Sequence, residues 1–204
     1  MASKKQFSSV EICAGAGGQA LGIEMAGFSH SALIEIDKAA CATLRLNRPD
    51  WNVLELDVHH VQGEWYKGVD LLAGGVPCPP FSVAGKQLGE KDERNLFPEA
   101  IRLVKEIEPR AVMFENVRGI FDPQFDEYRA WISNELDKLG YTSYWKLLQA
   151  SEYGVSQLRP RALCVGFRKE LGIEYEWPSS SLFPPKTVGD LLYDLMKSDG
   201  WMGA

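Results

Sequence analysis

The residue best suited to covalent chemistry is Cys78, set in the stretch Gly74-Gly75-Val76-Pro77-Cys78-Pro79-Pro80-Phe81-Ser82. A thiolate is a strong nucleophile. A loop stiffened by prolines loses little entropy in holding one still, because each proline fixes φ and biases its predecessor toward extended geometry. Inert cysteines sit in apolar surroundings, whereas this one lies between a glycine pair and the polar, charged segment Ser82 to Asn95. A second group surrounds Gly15, Gly17 and Gly18. Gly15-x-Gly17-x-x-Ala20, with Glu35 about twenty positions on, matches the dinucleotide-binding fingerprint. Glu35 can take both hydroxyls of a ribose, so the pattern points to an adenosine-bearing ligand without separating NAD from S-adenosylmethionine. Two further groups are Glu115-Asn116-Val117 and Gln157-x-Arg159-x-Arg161. Each has a plainer reading: a buried cysteine in a tight turn, a strand-to-helix turn, a salt bridge between Glu115 and an arginine, a solvated basic turn.

The elements that must position these residues read as alternating strands and helices. Val10 to Cys13 is a short apolar run leading into the glycine turn, followed by a helix to about Ala26 with Gly27 as its stop. Ser31 to Ile36 reads as a strand, Lys38 to Leu46 as a helix, Asn52 to Leu56 as a strand ending at Asp57, and Val69 to Ala73 as a buried strand. Phe97 to Ile107 reads as a helix closed by Pro109, and Ala111 to Phe114 as a strand with Glu115-Asn116-Val117 at its carboxyl end. Asp126 to Leu139 is amphipathic, with Trp131 packing in the core. Tyr141 to Leu148 and Ala162 to Phe167 read as strands, with Gln157, Arg159 and Arg161 on the loop between them. The alternation predicts an α/β fold with a doubly wound, mostly parallel sheet, and an antiparallel strand near the C-terminal edge formed by one of the last two runs. The candidate groups then fall at the carboxyl ends of strands, where such sheets bind ligands.

At 204 residues the chain fits one domain of ordinary size, with the composition of a soluble globular protein. The cysteines Cys13, Cys41, Cys78 and Cys164 are far apart, with no Cys-x-x-Cys pair and no histidines at ligand spacing. That argues against a metal site and a disulfide framework, and for a reducing, cytoplasmic setting. No run is long enough to span a membrane and the N-terminus lacks a signal peptide's apolar core. A net charge of −6 is unlike that of a protein gripping nucleic acid alone, so any such role rests on local clusters or on another part of the machine.

Taken together, from about Ser9 to Arg168, the sequence resembles the DNA (cytosine-5) methyltransferase family. Pro77-Cys78 with its following prolines, Glu115-Asn116-Val117 and Gln157-x-Arg159-x-Arg161 stand in the family's order and spacing behind the glycine turn. An NAD reading leaves these three groups without work. The resemblance implies a Rossmann-like fold, S-adenosyl-L-methionine as methyl donor, and double-stranded DNA as partner, with the target base flipped out. It implies Cys78 as nucleophile at C6 of cytosine, Glu115 at ring N3 and the exocyclic amine, and Asn116 as holder of the cysteine loop. Arg159 and Arg161 would reach the base carbonyl, a phosphate or the thiolate. A glutamate with that task benefits from burial beside the base. On the donor side it implies Gly15, Gly17 and Gly18 around the methionine part, Glu35 at the ribose, Ile36 against the adenine face, Asp57 and Val58 at the adenine edge, and Leu96 as an apolar adenine contact. Pro77, Ser82, Gly85, Lys86 and Gln157 would contact the DNA, the loop Ser82 to Asn95 closing over the flipped nucleotide. At Cys13 the family usually has phenylalanine, so this chain offers less apolar contact to the cofactor.

By family pattern a target-recognition region and a last helix would follow. Residues 1–178 are therefore expected to form the catalytic domain, and 179–204 a linker and the start of that region. The expectation is either a truncated product or one half of a split enzyme with a second polypeptide. Other readings are the same chemistry on RNA, and a non-catalytic regulatory subunit.

Overall fold

The computed structural model describes residues 6–77, 95–180 and 186–200. Seven strands form one sheet: β1 (Phe7–Ile12), β2 (Phe28–Glu35), β3 (Val53–Glu55), β4 (Leu71–Gly74), β5 (Ala111–Val117), β6 (Tyr141–Gln149) and β7 (Pro160–Arg168), in the order β3-β2-β1-β4-β5-β7-β6. The helices are α1 (Gly18–Met25), α2 (Lys38–Asn47), α3 (Phe97–Ile107), α4 (Asp126–Lys138) and α5 (Val188–Ser198). β1 to β5 pair in parallel, and β7 runs antiparallel to both β5 and β6. The mostly parallel, doubly wound sheet is as expected, and the antiparallel strand is β7, one in from the edge.

Alternation along the strands sorts side chains to two faces. Val10, Ile12, Ile34, Leu72, Val112 and Phe114 enter the main core, which α3 and α4 close with Phe97, Leu103, Val104, Ile107, Ile132 and Leu136. The opposite face is covered by α1 and α2 through Ala20, Ile23, Cys41 and Leu44. Over β4, β5 and β7 that second face is instead a groove of about 1100 Å³, lined in part by Leu71, Ala111, Met113, Leu163, Val165 and Phe167. Beside it, both carboxylate oxygens of the buried Glu11 and the amide nitrogen of the partly buried Gln19 are shut off from solvent with no hydrogen-bond partner among the described residues. Removal from water pushes the Glu11 carboxyl up to about 8.

Several boundaries differ from the sequence reading for identifiable reasons. β1 and β2 begin earlier, at Phe7 and Phe28, because the polar residues Ser8, Ser9, Ser29 and His30 extend the ladder before the apolar run starts. β5 continues through Glu115-Asn116-Val117, which pair with Leu163, Ala162 and Arg161. Arg161 therefore belongs to β7 and not to the preceding loop.

Candidate active site

The parallel strands β1 to β5 end together, and the antiparallel β7 begins at the same end. The strand order reverses direction between β1 and β4, so the turns leaving these two strands flank the crevice where such sheets bind ligands. The β4 turn must pass close to β1. A Cβ on Gly74 would lie 2.6 Å from Ile12 Cγ1 and 2.7 Å from the Ile12 carbonyl, so only glycine fits.

The glycine turn opens with Cys13 at φ 52, and Gly15 at φ 55 and Gly17 at φ 89 complete it. Gly17 is wedged against the α2 side of the fold: a Cβ there would lie 2.5 Å from Leu44 Cδ2. A Cβ on Gly18, by contrast, would meet nothing within 4 Å, so that side of the turn is open to a ligand. Glu35, 9% exposed at the end of β2, ties the turn down. Its Oε2 accepts from Gly15 N at 2.7 Å, and its Oε1 from Ile36 N at 2.9 Å and Asp37 N at 2.8 Å. A carboxylate has about four lone-pair sites, so these three bonds leave about one to spare. Anchoring the turn is a role the sequence pattern did not disclose.

Beside Glu35, Ile36 leaves its apolar side chain 64% exposed, as a stacking surface would. Asp57 begins the 3-10 turn Val58–His60, its Oδ1 accepting from His59 N at 3.0 Å and lying 2.7 Å from His59 Nδ1. Those bonds to His59 hold the Asp57 carboxyl below its ordinary value. Val58 is buried, and Leu96 sits half-buried where α3 begins. The Cys13 thiol is pushed up to about 12, first by burial and then by the carboxylates of Glu35, Asp57 and Glu11, which makes it a poor nucleophile.

On the other side of the crevice, Asn116 is 5% exposed and its Nδ2 donates to the Val76 carbonyl at 2.8 Å, while its Oδ1 accepts from Val117 N at 2.8 Å. Leu96 N donates to the Pro77 carbonyl at 3.4 Å, joining the two chain stems on either side of residues 78–94. Glu115 Oε1 stands 2.5 Å from Arg161 Nε, with the two side chains 31% and 25% exposed. Glu115 Oε2 lies 3.6 Å from the Cβ position of Gly75, three residues before Cys78. The glutamate is thus paired to an arginine and partly exposed, and the salt bridge noted as the plainer alternative is present. Cys78, Ser82, Gly85 and Lys86 fall outside the described residues.

Cys13, Gly15, Gly18, Gly75, Glu115 and Arg159 all line the one groove. Arg159 and Gln157 are exposed on the turn before β7. Among the described residues no cluster of side chains could hold a metal, and no helix is long and apolar enough to cross a membrane.

Comparison with known proteins agrees with this geometry. A family model described as C-5 cytosine-specific DNA methylase matches residues 7–202. The type II methyltransferase M.NgoMIV of Neisseria gonorrhoeae is 65% identical over 199 residues, which cover 98% of this chain and 64% of that protein. M.NaeI of Lentzea aerocolonigenes is 50% identical over 96% of this chain and 48% of its own length. The chain thus spans about half to two thirds of the length of these relatives. Among solved structures, one described as a prophage-encoded DNA modification methyltransferase of E. coli superposes with a TM-score of 0.79 at 28% identity, covering 92% of this chain and 54% of its own. With sequence, sheet order and strand-end geometry in agreement, the chain belongs to the C-5 cytosine-specific DNA methylase family.

Proposed function

We propose that this chain is the donor-binding and catalytic portion of an enzyme that transfers a methyl group from S-adenosylmethionine to C5 of a cytosine in double-stranded DNA. The observation that carries the reading is the grip on the stem of the cysteine loop: Asn116 holds Val76, and Glu115 turns Oε2 toward Gly75 while Arg161 holds Oε1. The stem that leads to the nucleophile Cys78 and a hydrogen-bonding carboxylate are thereby kept side by side. Residues 1–178 serve as the catalytic unit. The relatives carry further length that this chain does not span, and reading of the target sequence is assigned to a region of that kind, in the same or a second polypeptide.

The donor pocket fits S-adenosylmethionine: an open glycine turn, the exposed Ile36 face, and Asp57 with Oδ2 unpartnered among the described residues. When bound, that molecule supplies a methyl group made electrophilic by its sulfonium. The chain's own residues prepare cytosine C5, which is a poor nucleophile in the intact ring. Cys78 adds as a thiolate to C6, saturating the 5,6 bond and leaving C5 enamine-like. Glu115 bonds N3 and the exocyclic amine, offsetting the charge that builds during the attack. Once C5 carries the methyl group, loss of its proton to a base expels the cysteine and restores the double bond. Arg159, at the rim of the groove, meets the base carbonyl or a flanking phosphate, with Lys86 and Gln157 on the DNA side.

The product identifies the reaction. Duplex DNA methylated by the protein and digested to nucleosides should contain 5-methylcytosine. Methylation on an exocyclic nitrogen, or labelling of RNA in preference to duplex DNA, would overturn this reading.

A further inference from the structure

The segment after β3 carries Asp57 and Val58, yet the strand it leaves is only three residues long and pairs with β2 alone. From the far side it is held by polar side chains of α3, chiefly Arg102. Arg102 Nη2 donates to the Val58 carbonyl at 3.1 Å and Nη1 to the Val61 carbonyl at 3.0 Å. Nη1 also pairs with both oxygens of Glu106, at 2.8 and 2.9 Å, and Nε with Glu99 Oε2 at 2.7 Å. Glu106 Oε2 in turn accepts from Gly63 N at 2.8 Å. α3 thus grips the segment at Val58, Val61 and Gly63, and its own first turn starts next to Leu96, another residue assigned to the adenine.

A planar guanidinium with donors in a fixed fork can satisfy two carbonyls and two carboxylates at once. An ammonium can replace the charge but not that geometry. Within the turn, Asp57 spends Oδ1 on His59, so that Oδ2 is the oxygen left to meet a ligand. Where Oδ2 points depends on where the Val58–Val61 backbone is held.

We propose that Arg102 is a positioning residue of the donor pocket: by holding the Val58 and Val61 carbonyls it aims Asp57 Oδ2 at the 6-amino group of adenine and so sets the preference for that purine. The inference rests on the assignment of Asp57 to the adenine edge made above. A 6-amino group donates to a carboxylate, whereas a 6-oxo group presents an acceptor to it. The site therefore discriminates between the two only while Asp57 is held in place.

The test measures binding of S-adenosylhomocysteine and its 6-oxo analogue S-inosylhomocysteine by calorimetry to the wild type, Arg102→Met and Arg102→Lys, with thermal unfolding of each recorded alongside. The wild type should prefer the amino ligand by about tenfold or more. Both variants should bring the ratio within about threefold, and Arg102→Lys, which keeps the charge near Glu99 and Glu106, covers the case in which Arg102→Met does not fold. A ratio unchanged in a folded variant, with both ligands weakened equally or only the unfolding temperature lowered, would overturn the positioning role. A wild type with no preference between the two ligands would instead remove the Asp57 assignment on which the proposal stands.

Discussion

Glu115 and Arg161 face each other across the β5–β7 pair at 2.5 Å, yet they are not register partners: Glu115 opposes Leu163, and Arg161 opposes Val117. The contact is a diagonal one, within reach because long side chains on one face of an antiparallel pair span two positions. It places a guanidinium on one carboxylate oxygen and leaves the other directed at the cysteine-loop stem.

That division of labour predicts different consequences for activity and for stability when Glu115 is changed. Glu115→Gln keeps the shape but loses the charge and the pairing to Arg161. Methyl transfer should fall by about 10²-fold or more, the scale of a lost hydrogen-bonding or acid–base group. Stability should change by roughly 1 kcal/mol or less, since the pair is partly solvated. Steady-state methylation rates and denaturant unfolding check the two separately. A rate loss matched by a large stability loss would make the pair structural.

Asn116 joins two backbone groups, the Val76 carbonyl and Val117 N. Asn116→Ala leaves both without that partner and should destabilise by about 1–3 kcal/mol. Asn116→Asp should cost more, because it sets an acceptor against the Val76 carbonyl. Chemical denaturation at pH 7 orders the three proteins, and an Asp variant as stable as the wild type would contradict the role given to the amide donor.

Glu11 predicts the direction of a pH dependence. Its carboxyl is raised from the ordinary 4.5 to about 8 by burial. Between those values the folded chain retains a proton that the unfolded chain has lost. Stability should therefore fall as pH rises through this window, by roughly 5 kcal/mol once complete. Thermal unfolding at pH 5.5 and 8.5 measures the slope, and Glu11→Gln should flatten it. A wild-type slope of opposite sign that Glu11→Gln leaves unchanged would contradict the assignment.

How much of this was legible beforehand depended on whether a residue's neighbours lie near it in sequence. α3 was read to its ends, since Phe97, Ala100, Leu103, Val104 and Ile107 repeat at helical spacing and all are buried. The placing of Gly15, Glu35 and Asp57 at or just past strand ends followed from where apolar runs stop. The polar first halves of β1 and β2 carry no such signal, because their pairing lies below the buried core. Arg102 was invisible as a site residue: Glu99-x-x-Arg102-x-x-x-Glu106 reads as surface ion pairs at helical spacing, and its bonds to Val58 and Val61 span more than forty residues of chain. Glu11 did leave a signal, a lone carboxylate within the apolar run Val10 to Cys13, and the pattern of that run as a whole concealed it. Arg161 was assigned to a loop, whereas the strand already begins at Pro160, a residue tolerated as the first of a strand.

The measurement that bears most directly on the central claim is covalent capture on duplex DNA carrying 5-fluorocytosine, with S-adenosylmethionine present. Fluorine at C5 blocks the last elimination, so the protein should remain bound through denaturation. Mass spectrometry of the digest should place the modified cytosine on the peptide containing Cys78, and Cys78→Ala should yield no adduct. An adduct that persists in Cys78→Ala, or one mapped to Cys13, Cys41 or Cys164, would contradict the account.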